Sequence, residues 1–86
     1  MAQQHSFPAD LLESQIAWYV TYGRLADTAV TGTGAAACRR RLLALSARIA
    51  AHPYWDTSAG TPAARVALKE TARALVVAGA AGCPTG

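Results

Sequence analysis

Apolar residues recur at helical spacing in three stretches of the chain, and runs of β-branched or aromatic residues that would mark strands are missing. In the first stretch, 11–30, Leu11, Trp18, Tyr22, Leu25 and Ala29 form one row. Leu12, Ile16, Tyr19, Gly23, Ala26 and Val30 form the adjoining row. Together they predict an apolar arc of roughly 180°, wider than the stripe of an ordinary surface helix. The second stretch, 35–51, carries Cys38, Leu42, Leu45 and Ile49 in a single narrow seam. The third, 62–78, places Ala64, Leu68, Ala72, Leu75 and Gly79 on one face, with Val66 and Val77 near the opposite side.

The boundaries between these stretches have local causes. Asp10 followed by Glu13 is a capping-box pattern, with Pro8 upstream holding the approach extended. Thr31-Gly32-Thr33-Gly34 is expected to stop the first helix, because glycine supports a left-handed cap, and Thr33 to cap the second. Pro53 blocks continuation past His52, and the turn-rich segment 53–60 holds two large aromatics, Tyr54 and Trp55. Thr61-Pro62 combines a hydroxyl cap with proline at the first helical position. Gly79 is expected to close the third helix, and the termini 1–9 and 80–86 to be mobile.

Short connections make sequential helices antiparallel neighbours, so the expected fold is all-α, a single up-down-up three-helix bundle over 1–86. This order sorts residues to two poles. One holds the Thr-Gly loop, Arg39, Arg40, Arg41 and Cys83; the other holds His5, Phe7, Asp10, His52, Tyr54, Trp55 and Asp56.

Composition narrows the picture. A chain of 86 residues buries only about 60% of its unfolded surface, and 21 of its residues are alanine, so few bulky side chains are available for a core. Helix one offers more apolar surface than two alanine-rich helices can cover. Its edge residues Leu12, Ile16, Tyr19 and Val20 are therefore the expected contact with a second chain, as a homodimer or with another protein. Seven arginines against one lysine, with abundant Ala and Gly, fit the coding bias of a GC-rich bacterial genome. Residues 1–8 lack a basic stretch leading into an apolar core, and no run of about 18 apolar residues exists, so a cytoplasmic chain without membrane contact is expected.

The net charge is +3, which permits but does not demand an anionic partner. Arg39, Arg40 and Arg41 follow a helix start, where free N–H groups and the helix dipole favour anions, so an anion or nucleic-acid contact there is the alternative reading. Consecutive helical residues point about 100° apart, however, and the three cannot all face one ligand. His5, His52, Asp10 and Asp56 are metal-ligating types, but their spacing matches no ligand motif, and neither a metal nor a cofactor is expected. His52 is expected to meet carbonyls at the end of its own helix. Cys38 and Cys83 share a pole, although Cys38 lies on the buried seam as a small hydrophobe. Asp56, Thr57 and Ser58 beside His52 lack a second orienting motif, and no catalytic residue is assigned. The sequence thus reads as a non-catalytic interaction or accessory protein that self-associates through helix one.

Overall fold

A computed structural model describes residues 6–27 and 32–81, with the side chains of 80 and 81 excepted. The described residues form three α-helices and a short 3-10 turn: α1 (Ala9–Ala26), α2 (Thr33–Ala50), η1 (Pro53–Asp56) and α3 (Pro62–Ala81). The fold is an all-α three-helix bundle in which α1 packs against both α2 and α3. α2 and α3 barely touch each other.

Helix α1 begins two residues before the expected start, with Pro8 at the N-cap and the Leu12 N–H donating to the Pro8 carbonyl at 3.1 Å. Asp10 is therefore inside the first turn and is not the N-cap; its carboxylate accepts from His52. The helix stops at Ala26, where Asp27 turns extended. Aspartate competes with helical geometry through its short polar side chain, and the apolar periodicity of the stretch does not register that cost. Ala29 and Val30, assigned to the rows of helix one, lie outside the described residues.

Helix α2 starts at Thr33, earlier than expected, because Gly32 itself takes the left-handed φ of +61° at the N-cap and completes the turn. Thr33 is the first helical residue and not the cap. At the other end Pro53 acts as expected: His52 is extended, as a residue before proline prefers, and α2 ends at Ala50. Segment 53–56 then forms η1, whose N-cap is the His52 side chain: Nδ1 accepts from the Tyr54 N–H at 3.0 Å. Thr61 caps α3, its Oγ1 accepting from the Ala64 N–H at 3.1 Å. Gly79 does not close α3, which runs on through Ala81; Ala9, Ala80 and Ala81, placed with the mobile termini from sequence, are helical.

The core is thin, and Leu11 and Leu68 are the largest fully buried side chains. α3 presents a strip of Ala64, Leu68 and Ala72, each buried, while Leu75 and Gly79 on the same row are exposed. α2 uses its expected seam, with Leu45 buried and Cys38, Leu42 and Ile49 half-buried. On α1 the buried face differs from the apolar arc. It is Leu11 with the polar Ser14, Gln15 and Thr21, while Tyr22 is 53% exposed. Ser14 and Ala17 of α1 and Leu45 of α2 line one concavity between the two helices.

Candidate functional site

Where α2 and α3 barely touch above α1, an open groove of about 360 Å³ lies between them. Gln15, Trp18 and Tyr19 of α1 form its floor. One wall is Ser46, Ile49 and Ala50 of α2, and the other is Arg65 and Lys69 of α3.

Trp18 is the centre of this floor. Its indole Nε1–H donates to Ser46 Oγ at 2.9 Å, one ring face stacks on Tyr22 with centroids 5.3 Å apart and 9° between planes, and Tyr19 meets it edge-on at 5.3 Å. The Arg73 guanidinium lies 6.0 Å from the Tyr19 ring centroid. At the α1 N-terminal end of the groove, Trp55 donates to the Ile49 carbonyl at 2.6 Å, satisfying one of the orphan acceptors at the end of α2. Arg65 sits over the Trp55 ring at 4.4 Å, a cation–π contact that joins η1 to α3.

The two concavities differ in the charges that line them. The only charged groups lining the groove are Arg65 and Lys69, and Lys69 has no ion-pair or hydrogen-bond partner among the described residues. A second open concavity of about 470 Å³ between α1 and α2 holds Asp10, Glu13, Arg41 and Arg48, with both signs present. Arg65, Lys69 and Arg73 are spaced four apart, which places them in one row beside the buried Ala64, Leu68 and Ala72 row. That spacing was readable in the sequence. The run of Arg39, Arg40 and Arg41 is more conspicuous, but consecutive positions cannot form such a row.

Arg39, Arg40 and Arg41 are all exposed, and only Arg41 reaches a concavity, the mixed-charge depression with Asp10 and Glu13. Of the helix-one edge, Leu12, Ile16 and Tyr19 are half-buried and Val20 is 46% exposed; only Tyr19 lines the groove. At the opposite pole Phe7 meets Tyr54 edge-on at 5.7 Å, and Tyr54 meets Trp55 at 5.2 Å, so the expected aromatic cluster forms. His52 does not turn to the carbonyls of its helix. With Nδ1 occupied as an acceptor, its Nε2–H donates to Asp10 Oδ2 at 3.0 Å, and this hydrogen bond holds the Asp10 carboxyl below its usual range. His5 and Cys83 lie outside the described residues, and with Cys83 any bridge to the half-buried Cys38.

Among the described residues no helix is long and apolar enough to cross a membrane. No curated protein and no solved structure matches the chain. A family match covers residues 10–71, a span that takes in every residue lining the groove. The chain belongs to the family described as a domain of unknown function, DUF8825.

Proposed function

We propose that this chain is a non-catalytic helical interaction protein that takes a segment of another chain into the groove between α2 and α3. The observation that carries the reading is the groove itself: an aromatic floor left open because α2 and α3 do not close over α1. Concave, largely apolar sites with a few polar groups are where proteins receive partners. The thin core adds to it. Leu43, Val66 and Val77 are more than half exposed in a domain whose largest fully buried side chains are two leucines. A small domain commonly gains stability by burying such surface against a partner.

The test is a comparison of the whole chain with its Ala50→Trp variant, in which a bulky ring on an exposed wall position obstructs the groove. A discrete protein retained by the unaltered chain and lost by the variant is the expected result. Identical retained sets, with both chains folded by circular dichroism, would overturn the reading.

Self-association through Leu12, Ile16, Tyr19 and Val20 is a second form of the same reading, supported by the exposure of Val20 beside half-buried neighbours. Anion or nucleic-acid binding at Arg39, Arg40 and Arg41 has less to rest on, because Arg41 lies beside two carboxylates.

A further inference from the structure

Resting on the docking role proposed for the groove, we infer the chemistry of its occupant: an acidic amphipathic helix of a partner protein, with apolar side chains on Trp18 and Ile49 and carboxylates toward Arg65, Lys69 and Arg73.

Three features of the groove lead to this occupant. First, two antiparallel helices flanking a third leave a trough whose walls are themselves helices. A fourth helix laid along it packs side chains into side chains, reading the site through anchors at i, i+3, i+4 and i+7. Second, the charged side chains that line the groove are both basic. Arg65 and Lys69 line the α3 wall and Arg73 continues their row, while the acids Asp10 and Glu13 line the other concavity. Carboxylates on one flank of the incoming helix meet these cations, and its apolar face meets the aromatic floor. Third, Lys69 is left without a partner among the described residues, whereas Arg65 and Arg73 already rest on ring faces.

The same features weigh against other occupants. A second copy placed symmetrically on this face would bring its own Arg65, Lys69 and Arg73 against these, and like charges across an interface are repulsive. The parts of this chain outside the described residues, 1–5, 28–31 and 82–86, contain no Asp or Glu. Single-stranded nucleic acid would need aromatic faces on which bases stack. Here one face of Trp18 is taken by Tyr22, Trp55 is covered by Arg65, and Arg73 lies over Tyr19. A planar lipid surface does not enter a concave trough.

The experiment is a selection of displayed helical peptides of about 16 residues, spanning roughly 24 Å as a helix, on the full chain. The library fixes apolar anchors at i, i+3, i+4 and i+7 and randomises the flanking positions. Selected peptides should be enriched in Glu and Asp on one flank and should compete with one another for one site. Ala50→Trp should abolish their binding, and Arg65→Glu with Lys69→Glu should weaken it by about tenfold or more while circular dichroism is unchanged. Added salt should weaken it as well. Peptides that are lost with Ala50→Trp but carry no acidic flank, or are indifferent to the charge reversal, overturn the acidic partner while leaving the groove as a docking site. Peptides indifferent to Ala50→Trp overturn the docking role too. A dT12 oligonucleotide that binds more tightly than the selected peptides, and loses affinity on the charge reversal, overturns the inference in favour of nucleic acid.

Discussion

His52 Nε2 donates to Asp10 Oδ2 at 3.0 Å, tying the end of α2 to the first turn of α1, while His52 Nδ1 holds the Tyr54 N–H that starts η1. One imidazole thus orients two elements at the pole where Trp55 meets Ile49 of α2 and Arg65 of α3. Its two nitrogens have fixed and different roles, since Nδ1 accepts only while it carries no proton.

The hydrogen bond from His52 holds the Asp10 carboxyl below the usual aspartate range. A depressed folded-state value means that the contribution to stability is present above the unfolded value and lost as pH falls through the folded one. The gap in thermal midpoint between the unaltered chain and Asp10→Asn should hold near neutral pH and shrink below about pH 4. Because Asp10 is exposed the gap is small. A gap that persists unchanged under strong acid would show that the carboxylate's charge is irrelevant to it.

Gly60 is held by close approach and not by a left-handed φ. A Cβ there would stand 2.5 Å from Trp55 Cα and 2.6 Å from the Tyr54 carbonyl oxygen, both backbone atoms that must shift. Gly60→Ala should cost about 1 to 3 kcal/mol, the range for overpacked sites, read as a lower urea midpoint. Gly23→Ala, with nothing within 4 Å of the added Cβ inside α1, should instead stabilise by about 0.5 to 1 kcal/mol. Equal effects at the two glycines would contradict the packing described at η1.

Trp18 and Ser46 should be energetically coupled through their 2.9 Å hydrogen bond. A cycle of Trp18→Phe, Ser46→Ala and the double variant is expected to return about 0.5 to 1 kcal/mol of coupling. Full truncation, Trp18→Ala, should cost less than the roughly 3 to 5 kcal/mol of a fully buried aromatic, because the indole is only half-buried. Additive single variants would mean that α1 and α2 gain nothing from this contact.

If the edge of helix one pairs two chains, light scattering at micromolar concentration should give twice the mass of one chain, returning to a single mass in Val20→Glu. Val20 is the residue to change because it is 46% exposed and lies outside the groove, so the variant does not disturb the docking site. A single-chain mass for both proteins removes self-association.

The parts of the fold that were legible in the sequence are those with a covalent or steric cause. Pro53 ends α2, Thr61 and Pro62 start α3, and the four-residue spacing of Ala64, Leu68 and Ala72 is its buried strip. The buried face of α1 was not legible from hydropathy. Ser14, Gln15 and Thr21 are buried because of where α2 and α3 lie, and hydropathy ranks such residues for the surface. The groove was hidden for a related reason. Periodicity shows which face a helix turns inward, but whether two outer helices meet over a third depends on crossing angles, which local sequence does not state. From periodicity alone Trp18 belongs to the apolar arc and Tyr19 to its surplus edge, and the cation row of α3 is less conspicuous than the denser arginine run of α2.

Since α2 and α3 barely touch, the attachment of α3 depends on a strip of two alanines and one leucine against α1, helped by the Arg65–Trp55 contact at its start and by Arg73 over the Tyr19 ring. Direct cooperativity between the two outer helices has little to pass through besides Trp55, which meets Ile49 of α2 and Arg65 of α3. α3 is thus placed as the least protected unit, able to detach and re-dock while α1 and α2 stay paired. Its backbone amides should exchange with solvent through that partial opening, faster from its far end than from the turn held by Trp55. A ligand bridging both groove walls would supply the missing connection and bring the three helices to a common exchange rate.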